Sequence, residues 1–162
     1  MIKENKIIIV IIIIITSLIL GVSFCSNNES ELNLEEPIPV KLVQPEFFLS
    51  DEPNDSLVLQ ACEYYGLKHS EIVLAQAILE TGHYKSGGCK NDKNLFGLYN
   101  SRKNEFFKFE HWYESVEAYR DLIQYRYDGE SDYFTWLKQI GYAEDPNYNQ
   151  KLQQIIKSYI NK

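Results

Sequence analysis

The stretch Ile72-Val73-Leu74-Ala75-Gln76-Ala77-Ile78-Leu79-Glu80 is apolar on almost every side of a helix. A surface helix carries one apolar stripe, so a helix greasy all round has to be buried. Ser70 is placed to cap it and Gly82 to stop it, which predicts a central helix over 71–81. The remaining elements must wrap around that helix, and their patterns suit the task. Asp55 and Ser56 can cap a helix that carries Cys62 and ends at Tyr65, before Gly66. Gly87 and Gly88 mark a turn, and Phe106, Phe107 and Phe109 after the polar 100–104 segment suggest a short antiparallel hairpin. A third helix over 114–127 would face inward through Val116, Tyr119, Ile123 and Tyr127, with Leu122 at the border. Ser131 can cap a fourth, carrying Tyr133, Phe134, Leu137 and Ile140. Pro146 suits the first turn of a last helix whose stripe is Leu152, Ile155, Ile156, Tyr159 and Ile160. The expectation is a mainly α domain over residues 55–162 with one small β element.

The N-terminus has a different character. Lys3 and Lys6 precede an uncharged, Ile-rich run over 7–24, long enough for a signal sequence or one spanning helix. Acidic residues Glu29, Glu31, Glu35 and Glu36 follow it. That polarity places the N-terminus inside and everything after Cys25 outside the cytoplasm. Cys25 sits where a lipoprotein signal carries its lipid-modified cysteine, although Phe24 stands where a small residue is usual; lipidation and an uncleaved anchor both fit. Residues 1–25 are therefore read as a signal peptide or membrane anchor. Residues 26–54, acidic and holding four of the five prolines, are read as a linker, with the apolar 46–49 stretch able to dock on the domain.

A net charge of -7 argues against nucleic acid, whose binding requires clustered Lys and Arg. The 12 Tyr, 8 Phe and 2 Trp can fill a core or line a sugar cleft. No cofactor is implied and no metal site: His69, His83 and His111 are scattered and no HExxH occurs. Outside the cytoplasm, Cys62 and Cys89 form a disulfide candidate. A cysteine peptidase would instead pair Cys89 or Cys62 with His83 or His111.

Glu80 lies in the last turn of the apolar helix. The negative end of the helix dipole and the apolar neighbours both favour its protonated form. A carboxyl group that keeps its proton near neutral pH suits protonation of a glycosidic oxygen. Gln76, one turn earlier, could hydrogen-bond Glu80 or a substrate.

The segment 73–84, Val-Leu-Ala-Gln-Ala-Ile-Leu-Glu-Thr-Gly-His-Tyr, resembles the catalytic signature of the bacterial glucosaminidases, endo-β-N-acetylglucosaminidases with a lysozyme-like fold (glycoside hydrolase family 73). The resemblance continues in order through 94–97 (Asn-Leu-Phe-Gly), 109–116 (Phe-Glu-His-Trp-Tyr-Glu-Ser-Val) and 141–148 (Gly-Tyr-Ala-Glu-Asp-Pro-Asn-Tyr). It implies a lysozyme-like helical domain with a short β-hairpin, Glu80 as general acid, and Tyr142 as a cleft tyrosine near the scissile bond. It further implies Gln76, Tyr84, Asn94 and Phe96 as substrate-binding or cleft-floor residues. The implied substrate is the peptidoglycan glycan strand, cut at the β-1,4 bond after N-acetylglucosamine, by a protein tethered to the membrane through its N-terminal segment and acting as a monomer. Many relatives carry a second carboxylate on a longer hairpin. Glu105 is the candidate here, with Glu110 behind it, and Glu114 is better placed to stabilise a helix start. Inverting, retaining and substrate-assisted routes stay open. So do a non-catalytic peptidoglycan-binding protein and a lytic transglycosylase.

Overall fold

The structure is a computed structural model that describes residues 44–160. The signal or anchor segment 1–25, with Cys25, lies outside the described residues, as does most of the 26–54 linker. Among the described residues no helix is long and apolar enough to cross a membrane.

Among the described residues six helices and one hairpin follow each other: α1 (Asp55–Tyr64), α2 (Ser70–Thr81), α3 (Gly87–Asp92), β1 (Tyr99–Asn100), β2 (Glu105–Phe106), α4 (Trp112–Leu122), α5 (Tyr133–Gln139) and α6 (Tyr148–Ile160). Short 3-10 turns precede α1 (Glu46–Leu49) and follow α4 (Gln124–Arg126). As its composition requires, α2 is the centre: every residue from Ile72 to Ile78 is buried, Gln76 included. It packs against α6 and α1, and α4 closes over α1. Leu152 of α6, Val116 and Tyr119 of α4, and Tyr133 and Leu137 of α5 complete the core.

Several local expectations shift. The cap of α1 is Asn54, whose Oδ1 accepts from Leu57 N at 3.0 Å, and not Asp55 or Ser56. α5 is capped by Asp132, which accepts from Thr135 N at 2.8 Å, and not by Ser131. In both cases the capping carbonyl or carboxylate oxygen stands one residue off the expected position, which moves the helix start without changing its inward face. The segment read as a glycine turn contains α3, because Ser86 Oγ accepts from Cys89 N at 3.2 Å and so offsets the glycine cost of starting a helix at Gly87. The third helix is shorter than 114–127: it starts at Trp112 and ends at Leu122. The hairpin is reduced to two residue pairs, Tyr99 with Phe106 and Asn100 with Glu105.

The folded unit also begins earlier than residue 55. Phe47 is fully buried, in edge contact with Tyr64, Trp112 and Tyr113. Behind it, the Trp112 Nε1 donates to the Ser50 carbonyl at 2.9 Å, and Lys93 Nζ donates to the Asp51 carbonyl at 3.3 Å. The end of the linker is thus a strap laid over α1 and α4.

The disulfide expectation fails. Cys62 and Cys89 are both free and both buried. Each is used as a small apolar side chain, Cys62 on the inner face of α1 and Cys89 on that of α3, and burial pushes the Cys62 thiol up to about 12.

Candidate active site

Glu80 occupies the last turn of α2, and the backbone that follows it is unusual. Gly82, His83 and Tyr84 take left-handed conformations one after another, with φ of 56°, 58° and 63°. Two of them carry side chains, for which this region is unfavourable by roughly 1–2 kcal/mol each. The segment is held from both ends. His83 N donates to the Ile78 carbonyl at 2.9 Å, Tyr84 N donates to Thr81 Oγ1 at 2.8 Å, and the Tyr84 hydroxyl donates to Asp55 Oδ1 at 3.0 Å. The chain therefore turns sharply away on one side of Glu80, a residue exposed to solvent.

On the other side stands Tyr148, the first residue of α6. Its hydroxyl donates to Glu80 Oε1 at 2.8 Å. Glu80 as a residue presents an exposed face, yet protein atoms crowd the carboxyl itself. This partial burial raises the carboxyl above the ordinary carboxylate range, and the Tyr148 hydrogen bond pulls it part of the way back. Among the described residues no salt bridge reaches Glu80. A cavity of 180 Å³ shares Tyr148 with this site and is lined also by Leu137, Ala143, Glu144, Asp145 and Pro146. The arrangement offers one carboxyl with a raised hold on its proton, on a residue exposed to solvent, hydrogen-bonded to a tyrosine that also lines a recess walled by the 143–146 segment.

The sequence of the same region decides the family. Residues 56–161 match the Glucosaminidase family model, described as mannosyl-glycoprotein endo-beta-N-acetylglucosaminidase. The chain belongs to the glucosaminidase family. Comparison with curated proteins gave no match. Similar solved structures include the catalytic domain of the autolysin Auto (Lmo1076) from Listeria monocytogenes, 25% identical with a TM-score of 0.49, covering 65% of this chain and 80% of that one. Another is a peptidoglycan hydrolase from Sphingomonas sp. A1, 23% identical with a TM-score of 0.46, covering 70% of this chain and 87% of that one. Likeness of that degree leaves the chemistry to be argued from this chain's own residues.

In this glucosaminidase domain the other candidate residues divide sharply. Gln76 does not touch Glu80 and is wholly buried. It donates to the Tyr148 hydroxyl at 3.4 Å and accepts from the Tyr119 hydroxyl at 2.8 Å. Tyr142 is half-buried with its hydroxyl turned inward toward the Phe96 carbonyl, at 3.4 Å, and its ring lies against Tyr148 at 5.7 Å. Phe96 is buried against Tyr119. Asn94 is also buried, donating to the Leu98 and Phe107 carbonyls and accepting from Leu98 N. It ties the loop after α3 to the hairpin. Tyr84 is committed to Asp55. In this structure, then, Asn94 and Phe96 are buried, Tyr84 is hydrogen-bonded to Asp55, and Gln76 stands behind Tyr148.

Glu105 sits on β2 beside a 220 Å³ hollow lined by Asn100, Lys103, Phe106, Phe107 and Lys108, a set that shares no residue with the surroundings of Glu80. The residue that sequence reasoning missed is Tyr148. It closes the 141–148 motif and stands four residues before Leu152 on the inner stripe of α6, so its inward direction was readable, though its partner was not. Neither thiol is paired with a histidine among the described residues, and the raised Cys62 pKa is opposite to what a thiolate nucleophile needs.

Proposed function

We propose that this domain hydrolyses peptidoglycan at the β-1,4 bond after N-acetylglucosamine, with Glu80 as the general acid. The observation that carries the reading is the Glu80 carboxyl itself. It is held above the ordinary range by its surroundings, oriented by one hydrogen bond from Tyr148, and belongs to a residue exposed to solvent. In the first step Glu80 gives its proton to the glycosidic oxygen as the C1–O bond breaks. A substrate-assisted route asks nothing of a second carboxylate: the substrate's own 2-acetamido oxygen attacks C1, after which Glu80, now ionised, takes a proton from the water that opens the cyclic intermediate. Family membership and the lysozyme-like arrangement of a catalytic Glu at a buried helix end support the same reading. The Lys3, Lys6 and Ile-rich segment supports a tether that keeps the domain outside the cytoplasm, on the membrane.

The test is product analysis of purified sacculi treated with the protein and with Glu80→Gln. New reducing N-acetylglucosamine ends from the first and none from the second are expected. Anhydro-muramic ends would point to a transglycosylase, and no soluble product from either would leave a binding protein.

A further inference from the structure

Behind Tyr148 runs a line of buried polar side chains that crosses the core. Tyr148 meets Gln76, Gln76 meets Tyr119, and Tyr119 meets Tyr133 at 3.0 Å. Tyr133 meets Gln124, which is clamped to the backbone of Lys68. Tyr119, Tyr133 and Gln76 are all within 1% of complete burial. A protein core does not bury so many polar groups in series without satisfying them, and among the described residues none is left unsatisfied.

The direction of every bond in this line is fixed from its far end. Lys68 N–H can only donate and the Lys68 carbonyl can only accept. Gln124 meets them at 2.7 and 2.9 Å, which sets its amide one way round, with Nε2 inward. That Nε2 donates to the Tyr133 hydroxyl at 2.9 Å. Tyr133 must then send its own proton to Tyr119, and Tyr119 sends its proton to Gln76 Oε1. Gln76 is left with Nε2 facing Tyr148, so the Tyr148 hydroxyl accepts from Gln76 and directs its own proton to Glu80 Oε1 at 2.8 Å. When Glu80 is ionised the near end demands the same direction, since a carboxylate only accepts.

We propose that Tyr119, with Tyr133 and Gln124 behind it, is a positioning residue for Glu80: it fixes the Gln76 amide so that the Tyr148 hydroxyl proton is committed to the Glu80 carboxyl. Without the Tyr119 hydroxyl the Gln76 amide is free to turn over. Its Oε1 then faces Tyr148 and competes with Glu80 for the same proton. The ionised form of Glu80 loses support, and the group holds its proton to higher pH. The groups that face Glu80 are Tyr148 from α6 and Tyr142 from the segment before it, and neither is charged in the working range.

The role of the pH profile rests on Glu80 being the acid, but the titration of its carboxyl does not. The experiment therefore follows the Glu80 side-chain carboxyl by carbon-13 NMR in the full chain, assigned with Glu80→Gln, alongside the pH profile of sacculus hydrolysis. Tyr148→Phe and Tyr119→Phe should both move the Glu80 midpoint and the alkaline limb of the profile to higher pH, Tyr119→Phe by the smaller amount. Tyr133→Phe should follow Tyr119→Phe. Tyr127→Phe, which alters a neighbouring tyrosine outside the line, should leave the midpoint in place. A Glu80 midpoint that moves in Tyr148→Phe but stays fixed in folded Tyr119→Phe overturns the proposal. If the midpoints move as expected while no variant, nor the parent, releases reducing ends, the positioning stands and the assignment of Glu80 as acid fails.

Discussion

Tyr148 gives its hydroxyl proton to Glu80 across 2.8 Å, from a helix that begins 68 residues further along the chain. The contact joins the end of the central helix to the start of the last one. It places a neutral donor, and no cation, next to the carboxyl. A cation there would favour the ionised form of Glu80; a tyrosine orients the carboxyl while burial raises its hold on the proton.

That balance predicts a pH dependence with a definite sign. Partial burial is the larger influence on Glu80, so its proton is bound more tightly in the folded chain than in the unfolded one. Its contribution to stability is fullest at acid pH and is lost as pH rises from the ordinary carboxylate range through the raised folded value. Glu80→Gln cannot ionise. Urea unfolding across that window should therefore show Glu80→Gln gaining stability relative to the parent as pH rises. Hydrolysis by the parent should decline on its alkaline side through the same group, and Glu80→Gln should lose about 10²–10⁴-fold in rate.

Glu105 should matter little. Its side chain lies on the two-residue hairpin, among residues that do not meet Glu80 or Tyr148. Glu105→Gln is expected to keep sacculus hydrolysis within about threefold of the parent, against the far larger loss in Glu80→Gln. Equal losses in a side-by-side rate measurement would mean that a base or nucleophile acts from the hairpin.

The strap should behave as part of the core. Phe47 is fully buried among Tyr64, Trp112 and Tyr113, so Phe47→Ala should cost about 3–5 kcal/mol. Calorimetry should find the melting temperature lowered by roughly 10 °C or more. A chain shortened to begin at Asp55 should be at least as unstable, because it also strands the Trp112 indole N–H that Ser50 now accepts.

The two core thiols should be inert and independent. Cys62 and Cys89 are free, buried and held protonated. Reductant should leave the melting temperature unchanged, and alkylation of both, read by mass spectrometry, should be slow in the native protein and fast in urea.

The residues themselves determined the architecture around α2. Seven apolar residues among the nine positions 72–80 leave no face suited to water, so a buried central helix followed from the sequence pattern alone, and with it the amphipathic helices around it. The position of Glu80 at the polar end of that helix was equally legible, because it depends on periodicity within one segment. Caps slipped by a residue and α3 was missed, since a single side-chain oxygen decides such starts. Long-range pairing was not legible. A pattern of apolar positions says that Tyr148, Tyr119 and Gln76 point inward, but it does not say which of the other elements each one meets. The pairing of Tyr148 with Glu80, the burial of Asn94, the bond of Tyr84 to Asp55, the separation of Cys62 from Cys89 and the docking of Phe47 all depend on how helices distant in sequence cross. Those crossings are set by the packing of the whole core, and only the tertiary structure carries them.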